Sequence, residues 1–214
     1  METQIKAATR ARGQATRHDL MNIARRLFSE HGFSGTALAD IQQASGLTKG
    51  AFYHHFRSKE DMALALLESA RAEYERRLIA PAMAAGTPGK RLVALLDGVL
   101  ALNRQPEWCN CQMMLTLCGE LNAGRQRLRD AVLTMQNDFV DMWRELIIQA
   151  QETGEVAPGV EPAVWAQWIM NTFHGLFLAK KLGCLNIAPE KIIGLIKGHL
   201  LVGGAAPRCT GRSE

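Results

Sequence analysis

Residues 36–56 read Thr36-Ala-Leu-Ala-Asp-Ile-Gln-Gln-Ala-Ser-Gly-Leu-Thr-Lys-Gly-Ala-Phe-Tyr-His-His-Phe56. Two short helical patterns flank a turn. Thr36 offers an N-cap, and Leu38, Ile41 and Ala44 recur at helical spacing. Ser45-Gly46-Leu47 is the turn, with glycine where a Cβ would clash in a sharp bend. Thr48 is the next cap and opens a second helix. This geometry buries Ile41, Ala44, Leu47, Phe52 and Phe56 between helices. It leaves Thr48, Lys49, Tyr53 and His54 on the outer part of the second helix. Two short helices around so tight a turn match a helix-turn-helix, whose second helix presents such a face to a major groove. A helix N-terminus suits phosphate, and lysine and hydroxyl groups donate to phosphates or base edges.

Upstream, Leu20, Ile23, Ala24, Leu27 and Phe28 form one apolar face of a helix over Thr16–His31, which Gly32 ends. Downstream, Ser58 stands three residues before Asp61, close to a capping box. That helix runs to Ala80, where Pro81 stops it. Further helices are expected at Gly89–Leu102, Gln112–Leu121, Arg125–Glu152, Pro162–Lys181 and Pro189–Val202. Leu128, Val132, Met135, Phe139, Met142 and Leu146 make a heptad-like seam in the long one. Sparse Val/Ile/Thr runs disfavour a sandwich or barrel. The class is all-α, with about nine helices. Residues 1–60 form the helix-turn-helix domain, 58–80 a linking helix, 81–203 a larger helical bundle and 204–214 a flexible tail.

The chain has 214 residues, and its net charge of +4 decides nothing by itself. Its location is informative. Residues 1–60 hold nine Lys/Arg against five Asp/Glu, and the remainder is neutral. Four of the six histidines lie there too. A basic segment on a neutral body points to an anionic partner, nucleic acid first and a membrane surface second; a solvated charged tail is the plainer reading. Met1–Arg17 is polar and lacks the apolar core of a secretory signal. No apolar run reaches the ~18 residues of a spanning helix. Five cysteines without a signal read as reduced thiols in a cytoplasmic protein.

The stretch 18–68 resembles the N-terminal domain of the TetR family of transcriptional regulators. The matching residues are Leu27-Phe-Ser-Glu-His-Gly-Phe33 continuing through Ile41, then Ala44–Phe56, then Ser58-Lys-Glu-Asp-Met62. The resemblance implies a homodimer on palindromic double-stranded operator DNA. It maps Thr48, Lys49, Gly50, Tyr53 and His54 to the recognition helix, with Thr36 and Lys59 on phosphates. It also implies dimerisation through the last two helices, on faces supplied by Trp168, Ile169, Gly175, Leu176, Ile192, Ile193, Ile196 and Leu200. A small-molecule effector in the C-terminal domain would favour a form whose recognition helices no longer fit successive grooves. Candidates for its pocket are Trp108, Cys111, Met113, Met114, Phe139, Trp143, Trp165, Phe173 and His174, each also readable as plain core. Repression is the family default.

Arg10, Arg12 and Arg17 read either as a minor-groove arm or as a solvated tail. Adjacent His54 and His55 do not face one point, so no metal site is expected there. No cofactor is implied. Cys109, Cys111 and Cys118 are readable as inert buried thiols, or as sensors of oxidants, electrophiles or metals. No lysine or arginine lies beside them to lower a thiol pKa. A redox- or electrophile-responsive regulator is the alternative function. A thiol enzyme is a weaker one, because no CxxC and no Cys/His/acid constellation is present.

Overall fold

The computed structural model describes residues 2–105, 117, 119–120 and 125–202, the first nine of them as backbone alone. Its regular structure is eight helices among the described residues, plus one isolated antiparallel bridge between Val156 and Leu201. The helices are α1 (Glu2–Gly35), α2 (Leu38–Ser45), α3 (Lys49–His55), α4 (Lys59–Tyr74, extended by a π turn Glu75–Ile79 and by Ala80–Met83), α5 (Pro88–Arg104), α6 (Gln126–Glu152), α7 (Pro162–Leu182) and α8 (Pro189–Leu200). The expected helix at 112–121 and the tail at 204–214 lie almost wholly outside the described residues. The chain divides into two compact units, residues 1–71 with 109–132, and residues 72–108 with 133–214.

In the first unit, α1 starts at Glu2, well before the expected Thr16. Alanine, glutamine and arginine dominate residues 7–15, and these are strong helix formers. Arg12 and Arg17 are therefore exposed on a helix, not on an extended arm. Gly32 interrupts α1 with φ 79°, ψ 164°, at the expected stop. Leu20, Ala24, Leu27 and Phe28 face inward with Ile41, Phe52, Phe56, Met62 and Leu66. Fully burying side chains of this size contributes roughly 1.5–3 kcal/mol each before entropy is counted.

Two expectations at helix ends need correcting. Thr36 does not cap α2. Ala37 holds the cap position, and Asp40 Oδ2 accepts from the Ala37 N–H at 2.8 Å. Pro81 does not stop the linking helix at Ala80. A proline lacks an N–H and clashes with the carbonyl four residues back. Here the preceding turn widens, so that the Ala80 N–H bonds to the Glu75 carbonyl five residues back, and the helix continues to Met83. Ser58 behaves as expected, its Oγ accepting from the Asp61 N–H at 3.0 Å.

In the second unit, Leu92, Leu95 and Leu96 of α5 share a buried interior with Trp143, Ile147, Ile169, Phe173, Ile193 and Ile196. The α6 seam drifts from its expected course: Trp143, Ile147 and Ala150 are buried, and Met142 is only half-buried. A straight α-helix drifts by ~20° per heptad against a 3.5-residue repeat. Lys197 of α8 pairs with Asp97 of α5 at 2.5 Å, and Arg104 with Glu190 at the other end.

Glu155 ties three segments of this unit together. Its carboxylate accepts from the Thr87 hydroxyl, the Gly89 N–H at the start of α5 and the Thr153 hydroxyl, while its carbonyl accepts from Val202 N–H. The Thr87 hydrogen bond, then that of Gly89, lowers its pKa below the usual 4.5. A depressed carboxylate stabilises the fold above its unfolded pKa, and that contribution fades as pH falls through the folded value. Glu155→Gln is therefore expected to melt below wild type at pH 7, with the gap closing as pH falls through the lowered carboxylate pKa. Thermal denaturation across that range checks it; a gap that does not change with pH contradicts it.

Candidate nucleic-acid interface

The turn between α2 and α3 is built from local hydrogen bonds. Gly46 adopts φ 66°, a left-handed conformation costly for a side chain with a Cβ, and its N–H bonds to the Gln43 carbonyl. The Ser45 hydroxyl donates to Gln42 O at 2.7 Å and accepts from the Leu47 N–H at 3.2 Å. Gln42 Nε2 then donates to Leu47 O at 2.5 Å. Thr48 caps α3, its Oγ1 accepting from the Ala51 N–H at 3.3 Å.

Helix α3 is sharply two-sided. Phe52 is 0% exposed and Phe56, just past its end, is 2% exposed. Thr48, Lys49, Gly50, Ala51, Tyr53 and His54 are all exposed. Tyr53, at 42%, meets the buried Phe52 ring edge-on at 5.5 Å, which steadies the phenol on the surface. A Cβ built on Gly50 meets nothing within 4 Å. Glycine costs about 1 kcal/mol against alanine inside a helix, and no neighbour in the chain requires it here. Such a glycine suits an outside surface coming close. His55 is half-buried, and burial, then His54 and Arg17, lowers its pKa. Arg17 stacks over Phe56 at 4.4 Å. Of the side chains expected between the helices, Ala44 is exposed and Leu47 half-buried; Ile41, Phe52 and Phe56 are buried.

The two residues mapped to phosphate sit differently. Thr36 is 1% exposed, and its hydroxyl donates to the Leu27 and Gly32 carbonyls. That hydroxyl is committed inward and holds the α1–α2 corner. Lys59 Nζ donates to the Phe33 and Thr36 carbonyls at 2.6 and 2.7 Å and lies over the Phe33 ring at 4.5 Å. An ammonium has three donors, so one remains for an outside anion. Burial, then Arg125, lowers the Lys59 pKa, against the raising effect of Glu120 and Asp40. Among the described residues, no group of three or more potential ligands gathers as a metal site. No described helix is long and apolar enough to cross a membrane.

The effector candidates take part in three described ring pairs in the second unit, one of them Trp165 with Trp168, on the groove side of α7. Trp143 (2% exposed) and Phe173 (4% exposed) have ring centroids 6.1 Å apart. Phe139 packs edge-on against Tyr74 at 5.4 Å. Tyr74 carries no sequence signal for this place, because only folding brings the linking helix to Phe139. Burial lowers the His174 pKa, which favours a neutral imidazole. Trp108, Cys109, Cys111, Met113, Met114 and Cys118 lie outside the described residues. Cys184 is exposed.

The expected dimer faces resolve into two sets, with Ile192 half-buried between them. Ile169, Leu176, Ile193, Ile196 and Leu200 are buried within their own chain. Trp168 and Gly175 are exposed, on a stripe of α7 that also carries Val164, Asn171, Leu178 and Leu182. Val164, Trp165, Trp168, Leu195 and His199 line an open groove of about 400 Å³ between α7 and α8.

Residues 20–66 match the family model described as bacterial regulatory proteins, tetR family, and residues 88–193 match a tetracyclin repressor-like C-terminal domain. The HTH-type transcriptional repressor DhaR of a Mycobacterium species is 25% identical over 166 residues, 78% of this chain and 82% of that protein. A TetR transcriptional regulator from Chloroflexus aurantiacus superposes with a TM-score of 0.76 at 28% identity, over 90% of this chain and 99% of that one. AibR, solved with isovaleryl coenzyme A and operator DNA, shares the fold, with a TM-score of 0.67 at 21% identity over 87% of this chain and 98% of that one. With both halves matched in order and the helix-turn-helix in place, the chain belongs to the TetR family of bacterial transcriptional regulators.

Proposed function

We propose that the chain is a repressor that binds a palindromic operator as a homodimer and is released by a small molecule bound in its second unit. The observation that carries the DNA-binding part is α3 itself. Its inner side is locked by Phe52, and its outer side offers Thr48, Lys49, Gly50, Tyr53 and His54 without obstruction. An ammonium, two hydroxyls and an imidazole on one rigid surface suit phosphates and base edges.

The α7 stripe supports the dimer. Val164 is 56% and Leu182 67% exposed, with Trp168 and Leu178 between them. Gly175 on that stripe and Gly194 beside Leu195 have open space where a Cβ would stand. Neither glycine serves packing within the chain at those points, and each lets a second helix come close. The buried Trp143–Phe173 pair and the half-buried Tyr74–Phe139 pair support an effector site in the second unit, and the isovaleryl coenzyme A bound by AibR supports a small-molecule effector.

The test is binding to duplex DNA from the region flanking the protein's own gene, measured at several salt concentrations. A protein neutralising roughly 6–10 phosphates loses about 10³–10⁵ in affinity between ~50 and ~200 mM salt. A loss in that range is expected. Absence of duplex binding at low salt, or binding indifferent to salt, overturns the reading.

A further inference from the structure

Glu120 sits in the first unit but lies far along the chain from the helix-turn-helix. Its Oε1 accepts from the Phe33 N–H at 3.1 Å, and its Oε2 from the Ser34 N–H. Those amides immediately follow Gly32, whose positive φ turns them to face one point. Consecutive N–H groups so arranged form an anion-binding concavity. A Cβ on Gly32 would collide with Glu120 Oε1, so the glycine serves both the turn and the approach. Arg125 closes the seat: its guanidinium lies over the Phe33 ring at 4.6 Å and donates to the Ser34 hydroxyl at 3.2 Å. Lys59 holds the same corner through the Phe33 and Thr36 carbonyls.

The corner is where α1 gives way to α2, and so it sets the direction in which the helix-turn-helix leaves α1. Glu120 and Arg125 hold it, and Arg125 immediately precedes α6, the helix that carries the chain into the second unit. Backbone amides bonded to a carboxylate make strong, directional contacts. Removing the carboxylate strands the Phe33 and Ser34 N–H groups without those partners.

We propose that Glu120 is a positioning residue for operator binding: its carboxylate, seated on the Phe33 and Ser34 amides, fixes the corner that aims α3. The inference rests on the operator-binding function proposed above. Glu120 itself touches no DNA and acts through the corner alone. Burial works to raise its pKa, and the Ser34 and Phe33 hydrogen bonds with Arg125 outweigh that and lower it, so the seat is charged at neutral pH.

The test compares wild type, Glu120→Ala, Glu120→Gln and, as control, Asp130→Asn, a carboxylate that accepts from Gln126 Nε2 within α6 and has no other hydrogen bond among the described residues. Three quantities are measured: affinity for the flanking duplex, melting temperature, and amide exchange at Phe33 and Ser34. Glu120→Ala and Glu120→Gln are expected to weaken binding by about tenfold or more. Cooperative melting is retained, exchange at the two amides rises, and the control matches wild type. If wild type binds and both Glu120 variants bind equally well, the inference is overturned. It is also overturned if both lose cooperative melting, since Glu120 would then be a general stabiliser of the unit. Failure of wild type itself to bind overturns the underlying function instead.

Discussion

Trp168→Asp is expected to convert the proposed dimer into monomers and to remove most of the operator affinity. Trp168 lies on the exposed stripe of α7 and meets Trp165 edge-on at 5.0 Å, in the same open groove as Leu195. In the isolated chain the position is 44% exposed, so the carboxylate costs the fold little. In the dimer it would be buried against apolar side chains, and an unpaired charge there costs several kcal/mol. In the proposed homodimer, two linked α3 helices read a palindromic operator. Linkage makes the second binding event intramolecular, an advantage of about 10²–10⁴ in affinity. Sedimentation should give the monomer mass, and the operator titration should weaken by that factor. A dimer mass with unchanged affinity would contradict the α7 assignment.

Adjacent residues of α3 give the second prediction. Phe52→Ala and Tyr53→Ala are both expected to abolish tight operator binding, for different reasons. Phe52 is fully buried in the first unit, and truncating a core phenylalanine costs about 3–5 kcal/mol. That is a large part of a domain's stability of roughly 5–15 kcal/mol. Its melting transition should fall steeply or be lost. Tyr53 is exposed, and its removal leaves the interior intact. Tyr53→Ala should melt within a few degrees of wild type and still bind DNA weakly and without sequence preference. Calorimetry beside the binding titration separates the two. A Tyr53→Ala protein with wild-type affinity would refute α3 as the reading element.

Much of the first unit was legible because its rules are local. The Gly46 turn, the Ser58 cap, the Thr48 cap and the inward Phe52 and Phe56 each depend on residues a few places apart. The misreadings have local causes too. Thr36 looked like a cap, but the Ala37–Asp40 pair took that role and freed the hydroxyl to bond inward. Helical period alone places Ala44 in the interior, but period does not say how wide the buried face is, and Ala44 is exposed. Pro81 read as a stop because a π turn leaves no mark in residue type. The long-range features were invisible. Glu120 is 87 residues from Phe33, and Glu155 is 66 from Gly89. Pattern reading has no term for such pairs, since only the fold brings them together. The α7 face fell between: hydrophobicity marked the helix, but only burial separates Trp168 from Ile169.

The contrast between Trp143 and Trp168 gives the chain its own optical gauge. Trp143, 2% exposed, emits from the interior whatever the assembly state, whereas Trp168 faces outward. A soluble quencher reaches the second indole and not the first. With Trp108 and Trp165 replaced by phenylalanine, shielding of the Trp168 signal on concentrating the protein follows the proposed subunit pairing with no dye attached, and the Trp143 signal serves as the internal standard.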